Sequence, residues 1–254
     1  MNHRIWLVAL ALLAPAAISA QGRGGPAGPP RSGKEAAPID ITGYWVSLIV
    51  DEWRFRVDPQ KGDIPYLPIN ATARSVAMAW DPAKDEANGN QCKAYGAVGV
   101  MQRPGRLHIT WQDDNTLKVE ADSGTQTRIL HFNATPPAQT GEPTWQGYSV
   151  ASWQVPNAGR GRGSMPVPAR NGTLKVVTTN LRPGYIRKNG VPYSEKAVLT
   201  EYINLLDGAQ NDAYVVDTAE VEDPTYLTQP FVRSYQFKKQ PDASGWEPTP
   251  CYAK

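Results

Sequence analysis

The chain has 254 residues, 26 Lys and Arg against 24 Asp and Glu, and a net charge of +2, with 22 Gly and 23 Pro. Acids and bases are interspersed, so there is neither the basic stripe of a nucleic-acid binder nor a polybasic membrane patch. The length suits one β-rich domain with many turns.

Met1–Arg4 is a short basic start, Ile5–Ala17 an apolar run and Ile18-Ser19-Ala20 a small-residue exit. This is the layout of a secretory signal peptide cut near residue 20, and its apolar run is too short to span a bilayer. No later stretch is long and apolar enough for an integral membrane segment, so the expected product is periplasmic or secreted. Residues 21–38 are rich in Gly and Pro and read as a flexible spacer. A single domain then fills 39–254. Cys92 and Cys251 are the only cysteines. An even pair in an exported chain favours a disulfide, and neither cysteine has a neighbour that would activate it as a thiol.

Structure is expected to begin at Ile39, with Gly43-Tyr44-Trp45 opening a strand that runs to Val50. Asp51–Arg56 alternates charge with aromatics and reads as a strand, Trp53 and Phe55 inside and Glu52, Arg54 and Arg56 outside. Arg54 at a barrel mouth could grip an anionic ligand. Asn70 caps one short helix over Ala71–Trp80, stopped by Asp81-Pro82. A β block follows from Tyr95 to Phe132, with hairpin turns at Asp113-Asp114-Asn115 and Asp122-Ser123-Gly124. His108 and His131 lie on its strands, and either is a conceivable general base. Two histidines without clustered partners give no metal site.

Thr144–Gln154 and Thr173–Thr179 continue the strands. Between them, Val155–Gly172 is a basic Gly/Pro loop without the flanking context of a phosphate-binding loop. Asn189-Gly190 marks a hairpin whose second arm carries Pro192. Three regular strands close the chain: Ala197–Leu206, Ala213–Val221 and Phe231–Lys238. Each apolar face holds one charge, at Glu201, Asp217 and Arg233. Hairpins symmetric about their turns would pair 201 with 217 and 217 with 233, forming one row across the sheet. A slip of two residues would misalign the row but keep all three residues on one face.

About ten strands joined by short turns predict an all-β fold, an antiparallel meander closed into a barrel of 8–10 strands. A β-sandwich is the alternative. The strings GYWVSLIVDEWRFRV, LHITWQDDNTLKVE and VEDPTYLTQPF resemble a group of exported bacterial proteins with a calycin- or lipocalin-like barrel. The resemblance implies export and a barrel and carries no activity across.

Two function classes follow. One is a barrel holding a small apolar or aromatic molecule, lined by Trp45, Trp53, Tyr235 and Phe237 and oriented by Glu201, Arg233 or Arg54. The other is a lyase, isomerase or hydrolase without metal or organic cofactor. In it, Glu201 or Asp217 would act as base, Arg233 would stabilise charge, and Tyr185, Tyr193 or His108 would donate a proton. An envelope interaction protein, its barrel filled by side chains, is a further alternative.

Overall fold

A computed structural model describes residues 31–57, 59–133, 141–156 and 171–254. The expected leader (1–20), residues 21–30 of the spacer and most of the Gly/Arg loop (157–170) lie outside them.

Nine strands close into a barrel. They are β1 (Gly43–Leu48), β2 (Arg106–Asp113), β3 (Thr116–Ala121), β4 (Gln126–Phe132), β5 (Tyr148–Gln154), β6 (Thr173–Thr179), β9 (Val198–Asp207), β10 (Ala213–Glu222) and β11 (Phe231–Gln240). Between β6 and β9 the chain makes a separate hairpin, β7 (Gly184–Arg187) with β8 (Val191–Tyr193), in which Tyr185 faces Pro192. The order around the barrel is β1-β11-β10-β9-β6-β5-β4-β3-β2. A ring with an odd number of strands cannot alternate direction throughout, so one neighbouring pair must be parallel. That pair is β4 and β5, with Leu130 beside Ser149. The meander expected from the sequence is antiparallel at every other seam.

The register defines two ends. Gly43, Asp113, Phe132, Asp207 and Gln240 mark the mouth; Leu48, Arg106, Ala121, Glu222 and Phe231 mark the base. Alternation sends one face of every strand inward, seen in the regular burial of Leu117, Val119 and Ala121 along β3. Trp45, Leu107, Leu130, Leu174, Leu199, Val215 and Phe237 belong to a continuous core with the elements over the base.

The base is covered by the chain between β1 and β2 and by the β7–β8 hairpin. Four short helices occur here: α1 (Trp53–Val57), α2 (Ala71–Ala79), α3 (Pro82–Ala87) and α4 (Ala97–Val100). The expected helix is α2, with the Asn70 side chain accepting from the Ala73 N–H. Asp81-Pro82 ends it and also starts α3, because the Asp81 carboxylate caps Ala83 and proline at the first helical position loses no hydrogen bond. Two expectations are corrected. Asp51–Arg56 is not a strand: it turns into α1, with Arg56 buried and Trp53 on the surface. The stretch after Tyr95 forms α4 rather than a strand, its small residues packing between Trp145 and the β7 backbone.

At the mouth, residues 31–42 lie across the barrel end as a strap. Gly33 donates to the Asn115 side chain and Lys34 to the Asp114 carbonyl, both at 2.9 Å. The Trp153 indole donates to the Gly33 carbonyl at 2.7 Å. A side chain at Gly33 would collide with the Phe132 ring, so this close crossing needs glycine. Ile39 and Ile41 of the strap are buried. Residues 31–38, within the expected spacer, are therefore part of the packed fold.

Cys92 and Cys251 form the disulfide, tying the C-terminal segment to the cover of the base. The bond closes 159 residues, for which chain entropy gives about 5 kcal/mol, with measured bonds more often about 2–4 kcal/mol. Reduction, or the Cys92→Ser/Cys251→Ser variant, should lower unfolding stability by about 3–5 kcal/mol. Urea titration measures this; an unchanged midpoint would show that the bond contributes nothing to the folded state.

Candidate functional site

The hairpin registers settle the row of charges. Glu201 faces Ala219, and Asp217 faces Ile203 and Tyr235. Arg233 also faces Ala219. Both hairpins are thus shifted by two residues from symmetric pairing about 201/217 and 217/233. The β9–β10 turn runs from Gly208 to Asp212, with left-handed Gln210 and Asn211, so Asp207 and Ala213 form its closing pair. The three charges keep the same strand face but form no straight row.

The partner of Glu201 is Arg128 on β4. Its Nη1 and Nη2 donate to Oε1 and Oε2 at 2.7 and 2.5 Å, a bidentate pair enclosed in the barrel. Beyond it, Arg128 Nη2 reaches Thr178 Oγ1 at 3.5 Å, and Thr178 shares a 2.8 Å hydrogen bond with Ser149. Asp217 lies beside Glu201, and neither of its carboxyl oxygens has a partner among the described residues when ionised. Burial raises its pKa well above the carboxylate range, and the neighbouring Glu201 charge adds to this against the pull of Arg128. A proton on Asp217 completes the belt by donating to Glu201. The cluster is then neutral: one guanidinium, one carboxylate and one carboxylic acid.

This belt shares the barrel with packed side chains. Trp45, Phe237 and Tyr235 are 0, 1 and 3 % exposed, and Glu201 and Asp217 are 1 and 0 % exposed. Such values place the belt and these rings in the closely packed core, shut off from bulk solvent.

The remaining expected site residues are dispersed. Arg233 sits at the base and pairs with Glu52. Arg54 is mostly exposed and binds Asp63 with both Nε and Nη2. Trp53 is on the outer surface of α1. His108 points outward, stacked on Tyr44 with ring centroids 4.1 Å apart and 3.2 Å from Glu120. His131 stacks on Tyr148. Tyr185 donates to Asp85, which also accepts from Trp80 and Lys93. Burial, then the bond to Asp85, raises the Tyr185 pKa; burial alone raises that of Tyr193, whose hydroxyl has no partner among the described residues. Among the described residues there is no group of three His, Cys, Asp or Glu able to hold a metal, and no helix long and apolar enough to cross a membrane.

Open space lies at the mouth. A cleft of about 890 Å³ is bounded by the strap (Lys34, Pro38, Ile39, Asp40), by Thr110 and Trp111 of β2, and by Leu205 and Asp207 of β9. Since β2 and β9 are not neighbours in the sheet, the cleft reaches across the barrel end. Trp111 packs on Phe132, and Phe132 on Trp153, at 5.2 and 5.6 Å, so an aromatic ladder stiffens one wall. Its lining mixes apolar surface with one base and two acids.

Sequence reasoning missed Arg128, although the signal was there: it shares the inward face of β4 with Leu130 and Phe132. It also missed the cleft, which exists only because strap, β2 and β9 meet. No protein-family model, curated protein or solved structure matches the chain.

Two outcomes test the belt. With its pKa raised by burial, Asp217 keeps its proton to higher pH in the folded protein than in the unfolded chain, which releases it near pH ~4. Stability should therefore fall as pH rises from there to the folded pKa, by up to about 1.4 kcal/mol per pH unit, and then level off. Asp217→Asn should abolish that fall; parallel wild-type and variant curves in urea melts would contradict a protonated Asp217. Arg128→Met should cost about 3–5 kcal/mol by stranding Glu201, and Arg128→Met/Glu201→Met should recover most of it. Additive losses in that cycle would mean the pair is not coupled.

Proposed function

We propose that the protein is a binding barrel that seats a small apolar or aromatic molecule in the mouth cleft, beside Trp111, Leu205 and Ile39. The observation that carries this reading is the cleft itself, about 890 Å³ at an open barrel end with a rigid aromatic wall. The tightly packed interior argues for the mouth over a central calyx. Lys34 at one side and Asp40 and Asp207 at others supply polar anchors for orientation. Acid–base catalysis requires contact with the reacting atoms, and Glu201 and Asp217 are enclosed, which favours binding over turnover.

We also propose that the protein is exported, on the strength of its basic-apolar-small start and its disulfide. Expressed from its full sequence in a Gram-negative host, it should appear in the periplasm shortened by about twenty residues, as expected of a cleaved leader. Full-length protein in the cytoplasm would contradict export.

N-phenyl-1-naphthylamine is a suitable apolar probe. It should gain fluorescence on binding with one-to-one stoichiometry. Trp111→Ala should weaken it about tenfold, the equivalent of ~1.4 kcal/mol of aromatic contact. Trp246→Ala, on the outer wall beside Tyr44 and His108, should leave it unchanged. Equal affinity in Trp111→Ala and wild type would remove the cleft as the site.

A further inference from the structure

At the base, the guanidinium groups outnumber the carboxylates that face them among the described residues. Arg187 on β7 and Arg233 on β11 both reach Glu52. Arg187 Nη2 donates to Oε1 at 3.3 Å and Arg233 Nε to Oε2 at 2.8 Å. Arg187 is held without need of that carboxylate, its guanidinium 4.4 Å from the Phe55 ring centre and 5.9 Å from that of Phe231. Arg56 lies over Tyr235 at 5.2 Å, its nearest carboxylate being Asp51 at 3.5 Å. Asp63 is taken by Arg54. Arg56 Nη2 and Arg187 Nη1 are buried donors with no partner among the described residues. Burial lowers the pKa of both guanidinium groups, the sign of charges held with incomplete compensation.

Glu52, in contrast, belongs to the surface turn that opens α1, where its carbonyl accepts from the Phe55 and Arg56 N–H groups. Its backbone is left-handed, with φ of 46°, a conformation unfavourable for a non-glycine residue. Its neighbours Val50 and Trp53 are 72 and 69 % exposed, and its own side chain is a quarter exposed. The arginines are fixed by aromatic rings and strands, whereas the carboxylate between them comes from a strained surface turn.

We propose that Arg187 and Arg233 form a binding site for a small oxyanion, a carboxylate or phosphate group, and that Glu52 occupies it as an internal stand-in until the ligand displaces it. The planar guanidinium fork suits either anion, with two oxygens available to two arginines. Arg233, a quarter exposed, provides the approach, and Arg187 behind it the desolvated donors. Displacement returns the Glu52 carboxylate to water, while its carbonyl keeps the Phe55 and Arg56 N–H groups at 2.8 and 3.1 Å. The incoming group inherits the two bonds that Glu52 makes and can reach the unused Nη1 of Arg187. Affinity of the wild-type protein is reduced by the fraction of time Glu52 fills the site, so removing its charge strengthens binding. This site is at the opposite end from the mouth cleft and stands independently of it.

The test is isothermal calorimetry on the wild-type chain, Glu52→Gln, and Glu52→Gln/Arg233→Gln. Each is titrated with sodium phosphate and, separately, sodium succinate, at ionic strength held constant with sodium chloride. Glu52→Gln should bind one anion saturably, about tenfold more tightly than wild type, and the added Arg233→Gln should abolish it. A preference for phosphate or for succinate names the anion. The proposal is overturned if Glu52→Gln takes up neither, or if binding survives Arg233→Gln. Should Glu52→Gln fail to fold, the Arg233 Nε–H resonance of the wild-type protein decides. It should shift saturably with phosphate or succinate, and a shift no different from that with sodium chloride overturns the proposal.

Discussion

A guanidinium and two carboxyl groups enclosed in one barrel have no water to solvate them, so they must neutralise one another. Burying an isolated ion costs several kcal/mol even after relaxation. Arg128 and Glu201 meet that demand with two short parallel hydrogen bonds, and Asp217 meets it by keeping its proton. These residues come from β4, β9 and β10, so the cluster ties opposite parts of the wall together. The pairing is specific as well as cohesive. A one-residue slip in any of the three strands would turn a charged group out of the belt and an apolar side chain into solvent.

That arrangement divides the molecule by role. The middle of the barrel is core: apolar side chains from nine strands around a polar belt paired internally, except for the Arg128 Nε, which has no partner among the described residues. The openings carry the chemistry a partner could touch. At the mouth, the strap of residues 31–42 lies on the aromatic ladder of Trp111, Phe132 and Trp153 and leaves a cleft beside it. At the base, the cover built from residues 49–104 and the β7–β8 hairpin brings Arg56 and Arg187 against Tyr235, Phe55 and Phe231. A barrel with a packed centre supports this because its ends are positioned by a stiff wall.

Much of the barrel was legible in the period-two alternation of its strands, and Asn70 announced the helix it caps. Local charge patterns were less faithful. Asp51–Arg56 alternates like a strand yet forms a helical turn, because Arg56 is held in the interior by the Leu48 and Gln102 carbonyls and the Tyr235 ring. Glu201 and Asp217 were correctly placed on one inward face, but their cross-strand partners depend on turn geometry, and left-handed Gln210 and Asn211 give no strong sequence signal. Arg128 was readable as an inward charge on β4. That it pairs with Glu201, 73 residues away, follows only from closure of the sheet. The cleft was not legible at all, since its walls come from three segments distant in sequence.

The account rests most directly on the protonation of Asp217. Its side-chain carboxyl ¹³C resonance, followed by NMR from pH 4 to pH 8 in the folded protein, reports that state alone. The resonance should keep the position of a carboxylic acid well above the pH at which an ordinary aspartate ionises. A titration midpoint near ~4, the value of an ordinary aspartate, would contradict it. It would mean that the barrel encloses an uncompensated charge or that water reaches its centre.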